Sequence, residues 1–311
     1  MRLEVTRGGR AEEMTRRNDA ATMSRRVSVV LVIRSVAGDQ LFVSSTATVL
    51  GGALHEAVRA GADLTGAKLT GAHLKRADLE GARLARADLS HADLSHADLR
   101  MAHLEGATLA NATLTQARLQ HAKLTKANVS RADLAHADLC FVNLGGADLT
   151  GAHLAGADCT GADLPGATMA GADLTRARLL SASLTGACLT GACLTKADLA
   201  WADLTGANLA GAILVAADLT SARLTDADLT GTNLTEATLA GAALVRALLA
   251  QARLESGQAV EADLSGADLA HADLTRARLV RALLVGANLQ LARFVEADLT
   301  GADLTGAIGL A

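Results

Sequence analysis

Hydrophobic and polar positions recur in a fixed frame of five from residue 62 to residue 311. Residues 62–66 read Ala-Asp-Leu-Thr-Gly, and the frame then continues without insertion or deletion through fifty repeats. The first place is Ala in 47 repeats, and the third place is Leu in 44. The second place is commonly Asp, the fourth favours Thr, Ser and Ala, and the fifth favours Gly. The pattern therefore indicates one small structural unit that is repeated many times.

A period of five excludes an α-helix with one apolar face, because successive residues turn by about 100° and every fifth residue would spiral around the axis. A plain strand is also excluded, since it requires alternation with a period of two. The frame instead predicts a short extended piece followed by a turn. We expect the first and third places to point inward, the second to point outward, and the fourth and fifth to form a corner where Gly accepts positive φ.

This frame resembles the motif of the pentapeptide-repeat family, which is a small residue, Asp or Asn, Leu or Phe, a polar residue and then often Gly. The resemblance covers residues 62–311 and implies an all-β fold, a right-handed quadrilateral β-helix with four repeats in each coil. Fifty repeats then make about 12.5 coils. At about 4.8 Å between neighbouring strands, the rod would be about 60 Å long.

The residues before the repeats predict two further segments. Residues 1–26 are polar and rich in Arg, Glu and Thr, and we expect them to be disordered. Residues 27–61 predict an N-terminal cap, with two strands within 27–50 around Ala37-Gly38-Asp39 and a short helix over 52–60. A solenoid needs such a cap because its outermost coil has unpaired backbone groups and an apolar cross-section.

No comparable cap follows the last repeats, which favours pairing of two copies at that end. Outward apolar residues also accumulate in the last coils, and we expect them to form a homodimer contact. The alternative is that they are the isolated apolar side chains that every protein surface carries. The candidate dimer patch comprises Val245, Leu248, Leu283, Val285, Leu291 and Val295.

Two places in the repeats look weak, and neither suggests a function. Residues 257–261 keep the frame but place Ala259 where Leu belongs, which predicts a small internal gap. Pro165 occupies a fourth place, where a missing N–H should be tolerated at a corner.

The composition supports a narrow interior and a cytoplasmic location. The chain has no Tyr, three Phe and one Trp, so its interior must consist of many small identical slots. Its four Cys residues form no recognisable disulfide framework. No apolar run approaches the roughly 20 residues that would cross a bilayer, and no cleavable signal peptide is evident.

The sequence offers no catalytic motif, since neither a metalloprotease H-E-x-x-H, a P-loop, a G-x-S-x-G nor a dinucleotide fingerprint occurs. The nine His residues are spread over places that diverge, such as His91 and His96 on neighbouring corners, whereas a metal site needs ligands that converge. Cys188 and Cys193 occupy second places on adjacent sides. We therefore predict a protein that is not an enzyme and that needs no cofactor or metal.

Second-place residues twenty positions apart would stack into columns on the rod. The column from residue 78 to residue 298 contains seven Asp among twelve members. Beside it, a fifth-place column carries Met101, His121, Phe141 and Trp201. Exposed aromatic residues next to carboxylates predict a partner face, although Asp could equally suit the second place in every column. The candidate face comprises Asp78, Asp98, Asp138, Asp158, Asp198, Asp218, Phe141 and Trp201.

Two functions are open at this point, and both involve a protein partner, with no membrane and no direct binding of nucleic acid. The first is a protein-binding scaffold, which a long regular surface suits. The resemblance implies the second, because some family members imitate duplex DNA, bind DNA gyrase or related type II topoisomerases, and inhibit them or protect them from quinolones and toxins. Residues 62–311 carry 20 basic and 27 acidic residues, a net charge of −7. Duplex DNA of the same length carries about 35 charges, so we favour the scaffold.

Overall fold

A computed structural model describes residues 31–44, 46–47 and 49–309. The predicted disordered segment 1–26 lies outside the described residues, as do residues 27–30 of the predicted cap. Within the repeats, each second-place residue pairs in parallel with the residue twenty positions later, from Asp63 with Arg83 to Asn288 with Ile308. Four repeats therefore make one coil with four sides, which confirms the right-handed quadrilateral β-helix.

Backbone hydrogen bonds between coils use most of the N–H groups of each repeat. The third-place N–H donates to a second-place carbonyl of the following coil, as from Leu89 to Thr108 at 2.7 Å. The second-place N–H donates to a first-place carbonyl of the preceding coil, as from Asp88 to Ala67 at 2.9 Å. The fifth-place N–H also reaches the following coil, and the first-place N–H closes a turn three residues back. In the described coils that have a neighbouring coil on both sides, only the fourth-place N–H has no backbone partner.

The interior is a ladder of Ala and Leu side chains, as the frame predicted. The first and third places are buried in almost every coil, and Cys159 and Met169 fill third places at 1% exposure. Thr232 is buried at a first place, where its hydroxyl donates to the carbonyl of Leu229 at 2.7 Å. At Ala259 the frame holds, and the hydrogen bond that closes its turn lengthens to 3.3 Å.

The corners share one backbone conformation whatever their side chain. Every described fifth-place residue has positive φ, and 29 of these residues are not Gly. The sequence predicted this conformation where the fifth place is Gly, and the structure extends it to side chains as large as that of Trp201 (φ 60°). For a residue other than Gly this conformation costs of order 1–3 kcal/mol. The pairing of the coils therefore imposes it on the corner.

The N-terminal segment forms a hairpin and a helix. Strand β1 (Leu31–Arg34) pairs antiparallel with strand β2 (Gln40–Ser44). The end of β1 packs on the first coil, where the carbonyl of Arg34 accepts the N–H of Lys68 at 2.8 Å. These strands lie inside the range predicted from the sequence.

Helix α1 (Leu50–Arg59) starts two residues earlier than the predicted helix over 52–60, and its last residue is one position earlier than predicted. Its apolar residues follow a 3.6-residue period, and Ala53, Leu54 and Ala57 are fully buried within the same core as the repeats. The hydroxyl of Ser44 donates to the carboxylate of Glu56 at 2.6 Å and ties β2 to the helix. Among the described residues, no helix has the length and apolar character needed to cross a membrane.

Candidate interaction surface

The six predicted Asp residues lie in one column on one side of the rod. Arg118 and Arg178 interrupt this column, where Arg118 binds Asp98 at 3.0 Å and Arg178 binds Asp158 at 2.8 Å. The column is therefore a series of short acidic sections rather than a continuous negative strip. The Asp residues form three directly stacked pairs: Asp78–Asp98, Asp138–Asp158 and Asp198–Asp218.

Asp at the second place has a structural role in every column, because it accepts the N–H that the backbone leaves free. At Asp148, for example, Oδ1 accepts the fourth-place N–H of Thr150 at 2.9 Å. The same bond forms at 24 of the 25 second places that hold Asp or Asn. The exception is Asp163, whose fourth-place neighbour is Pro165 and has no N–H. An abundance of Asp is therefore no evidence of function by itself.

In this column the pKa values of Asp98, Asp158 and Asp298 lie below the usual value for Asp. Partial burial acts to raise the pKa of Asp158, but hydrogen bonds from Thr160 and Cys140 and the charge of Arg178 outweigh it and lower that pKa. Only Oδ1 accepts the N–H of Thr160, at 3.1 Å. Oδ2 of Asp158 binds Arg178 at 2.8 Å, so this carboxylate is partly neutralised within the rod.

Cys140 lies between two of these carboxylates, in a setting that disfavours its thiolate form. Burial raises the pKa of its thiol to about 12, and its hydrogen bonds to Asp138 and Asp158 act in the same direction. Since the thiolate is the reactive form, this thiol serves as a hydrogen-bond donor to the acidic column.

The remaining Cys residues are also free thiols. Cys159 is fully buried, which raises its pKa. At Cys193, burial acts to raise the pKa, but hydrogen bonds from the hydroxyls of Thr175 and Thr195 outweigh it and lower the pKa.

An exposed corner beside the Asp column holds Met101, His121, Phe141 and Trp201, which we call the aromatic edge. Phe141 is 57% exposed and Trp201 is 65% exposed. The rings of His121 and Phe141 stack with centroids 5.3 Å apart and an angle of 5° between their planes. The ring of Phe141 then lies against Gly161, where a Cβ atom would come within 2.5 Å of it. His121, Phe141 and Gly161 therefore pack along successive coils of this corner, and Trp201 lies two coils further along the same corner.

The predicted dimer patch is distributed around the rod. Val245 and Val285 lie at one corner, with Leu283 on the side before it and Leu248 on the side after it. Leu291, 72% exposed, lies at the next corner along the chain. Val295 lies beyond a further side of the rod. The six residues therefore lie on several sides of the rod, and four of them, Val245, Leu248, Leu283 and Val285, lie around one corner.

The predicted absence of a metal site stays a prediction. His91 and His96 occupy neighbouring corners and are exposed, as the frame indicated. Within the part of the chain that the structure describes, no three His, Cys, Asp or Glu side chains are placed to hold a metal ion.

One surface feature was missed in the sequence. A shallow depression, which we call the Gly156 notch, lies at the corner on the other side of the Asp column and is bordered by His136, Arg176 and Lys196. The sequence contained one sign of this notch, because Arg176 and Lys196 both occupy fifth places and are twenty positions apart. That spacing becomes meaningful only when twenty residues are known to form one coil.

The profile described as Pentapeptide repeats matches the chain in eight copies, at residues 62–100, 92–131, 102–139, 132–169, 166–199, 197–235, 232–269 and 272–308. No curated protein matches the sequence. HetL, a protein involved in heterocyst differentiation regulation from the cyanobacterium Nostoc sp. strain PCC 7120, is 37% identical, with a TM-score of 0.38. That match covers 66% of this chain and 88% of HetL.

Two further solved structures are similar. Rfr23 from the cyanobacterium Cyanothece 51142 is 35% identical over 29% of this chain and 63% of its own, with a TM-score of 0.29. Full-length QnrB1, a plasmid-mediated fluoroquinolone resistance protein, is 19% identical over 64% of this chain and 92% of its own, with a TM-score of 0.30. The likeness to QnrB1 concerns the fold alone.

Proposed function

Because this chain belongs to the pentapeptide-repeat family, we propose that it is a non-enzymatic rod that binds a protein partner along the aromatic edge and the adjoining Asp column. The observation that carries this proposal is the pair Phe141 and Trp201. Both are large, exposed and apolar, and both occupy corners whose positive φ favours Gly. Neither side chain is buried in the rod, so burial does not offset the strain of about 1–3 kcal/mol at either corner.

The surroundings of the two aromatic side chains indicate the character of the partner. Phe141 follows Asp138 by three residues, and Trp201 follows Asp198 by the same spacing. Three coils separate the two aromatic residues, which corresponds to about 14 Å along the rod. A partner that presents apolar side chains flanked by Lys or Arg would complement both features.

Affinity capture with variant rods tests this proposal. In the double variant Phe141→Gly, Trp201→Gly, the corner backbone keeps its conformation because Gly accepts positive φ. The matched control is Ser181→Gly, Ser221→Gly, since both serines lie in the same corner column. We expect the specific partner to be lost by the double variant and retained by the control. Equal retention by both folded variants would refute the aromatic edge as the binding surface.

Imitation of DNA toward DNA gyrase is the second candidate function. It is supported by the stacked Asp pairs and by residues 132–230, which hold 4 basic and 11 acidic residues, a net charge of −7. The interruptions at Arg118 and Arg178 weigh against it. It predicts binding that competes with DNA and weakens strongly with salt.

The structure provides a precise variant for this test. Replacing Asp138, Asp158, Asp198 and Asp218 by Asn removes four charges, while Asn can still accept the fourth-place N–H as it does at Asn128. Supercoiling by purified gyrase would be measured with wild type and this variant at two salt concentrations, with and without a quinolone. Salt-sensitive inhibition or drug protection that the variant loses would establish gyrase binding. If folded protein at high micromolar concentration has no effect on gyrase, imitation of DNA is refuted and the protein-binding scaffold is the remaining candidate function.

We also propose that two copies associate through the last coils. Leu248 and Leu283 are 45% and 42% exposed around one corner, which is the part of the predicted patch that two rods could share. Light scattering across a range of concentrations would measure the mass of wild type and of Leu248→Ser, Leu283→Ser. We expect a dimer for wild type and a monomer for the variant. A monomeric wild type would contradict the proposal.

A further inference from the structure

The Gly156 notch has a volume of about 380 Å³ and lies where a corner column lacks one side chain. Gly156 forms its floor, and the ring of His136 lies over this residue, so that a Cβ atom there would come within 2.6 Å of Nδ1. Arg176 and Lys196 form the opposite border, one and two coils further along. The neighbouring Thr residues 175 and 195 complete the lining together with Ala155. No carboxylate lines the notch.

Arg176 and Lys196 stand out among the charges of the rod. They lie directly above one another at the same corner, about 4.8 Å apart along the rod axis, and like charges so placed repel each other. Elsewhere, stacked corner charges have opposite signs, as in Arg246 with Asp226 at 2.6 Å. Within the described residues, neither Arg176 nor Lys196 forms an ion pair, and no other Lys or Arg stacks on a second cation one coil away at the same place of the repeat.

We propose that the notch binds a phosphate group, carried by a small molecule or free in solution. A phosphate has a charge of about −1.5 to −2 near neutral pH and several strong acceptor oxygens. It could therefore bridge two cationic side chains, whereas a single carboxylate has one charge and two oxygens. The ring of His136 limits the notch on the side opposite the cations. Binding would convert the repulsion between Arg176 and Lys196 into two attractive contacts.

Three carboxylates on the adjoining sides limit the affinity. Asp158 binds Arg178 at 2.8 Å. Oδ1 of Asp173 accepts the N–H of Thr175 at 3.0 Å, and Oδ1 of Asp198 accepts the N–H of Ala200 at 3.1 Å. These groups are held on the flat sides, but they still oppose an anion at the corner. We therefore expect a dissociation constant in the millimolar range, or about −4 kcal/mol at 1 mM.

An NMR titration with inorganic phosphate at constant ionic strength, balanced with sodium chloride, tests the proposal on the full chain. We expect saturable shifts at His136, Gly156 and Thr195. Arg176→Ala and Lys196→Ala should each weaken binding by about tenfold, the equivalent of 1.4 kcal/mol. Ala is compatible with this corner, since Ala216 adopts φ 54° there. The matched control is Arg131→Ala, an exposed corner cation with no ion pair and no stacked cation, which should leave binding unchanged.

A second arm uses glycerol phosphate to identify the form of ligand. Equal binding of both compounds would show that the notch recognises the phosphate group on a larger molecule, and binding of inorganic phosphate alone would show a site for the free ion. Shifts that fail to saturate, or that persist unchanged in Arg176→Ala, would overturn the proposal.

Discussion

The interior and the corners of this rod repeat with the same period, yet they differ in how strictly their residues are fixed. The interior accepts Ala and Leu with few exceptions, because each slot is closed by the coils before and after it. The corners hold Gly, Arg, His, Glu, Phe and Trp on one unvarying backbone conformation. Stability therefore resides mainly in the slots and in the hydrogen bonds between coils, while the corners are free to carry function.

The largest loss of stability is expected from a substitution in the interior of the rod. Leu149 is fully buried at a mid-rod third place. In Leu149→Asp the interior offers no partner to a carboxylate, and burying a charge without a partner costs several kcal/mol. We expect loss of the folded rod by circular dichroism. Thr150→Asp, one residue along and exposed, should melt close to wild type, and equal damage by both would contradict the inward assignment of Leu149.

Acid should be the next strongest perturbation. Hydrogen bonds from the hydroxyl and N–H of Ser95 lower the pKa of Asp93 below its usual value of 3.8, and those from Thr275 lower the pKa of Asp273 despite the opposing effect of burial. A lowered pKa in the folded state contributes stability above the unfolded value, and that stability is lost as pH falls through the folded value. The melting temperature should therefore hold down to about pH 4 and then fall. Asp93→Asn should reduce this dependence, and a profile that is flat to pH 2 would contradict it.

A smaller loss of stability is expected when a second-place Asp is replaced by Ala than when the interior is disrupted, and replacement by Asn should cost less still. Asp228 accepts the N–H of Thr230 at 2.9 Å. Asp228→Ala removes this bond and should destabilise the rod by about 1 kcal/mol, whereas Asp228→Asn keeps the acceptor and should be close to neutral. Chemical denaturation would measure both. Equal losses would show that charge, and not the turn, is what the second place requires.

The smallest effect is expected at the corner. Trp201→Gly relieves positive φ, worth about 1–3 kcal/mol, and loses about 0.5–1 kcal/mol through the greater freedom of Gly in the unfolded chain. The melting temperature should therefore stay the same or rise slightly while partner binding is lost. A clear fall in melting temperature would show that Trp201 stabilises the rod and would weaken its assignment to a binding surface.

Much of this structure followed from the five-residue frame, including the buried Ala and Leu, the positive φ of Gly corners and the tolerance of Pro165. The residues before the repeats separately predicted the hairpin that precedes helix α1. The candidate site was less predictable. The frame placed Phe141 and Trp201 outside on one edge, but it did not predict the stacking of His121 on Phe141 or the space that Gly161 provides. It also left open why Asp is so common, which the hydrogen bond to the fourth-place N–H now explains.

The sequence by itself determined which side chains face inward, because a period of five fits a strand and a turn and excludes a helical face. Only the tertiary structure decided which outward residues become neighbours, since a five-residue period does not specify how many repeats close one coil. Once four repeats close it, residues twenty apart come into contact. That contact creates the acidic pairs and the aromatic edge. It also places Arg176 and Lys196 together, and it imposes positive φ on corners whose own residues would not choose it.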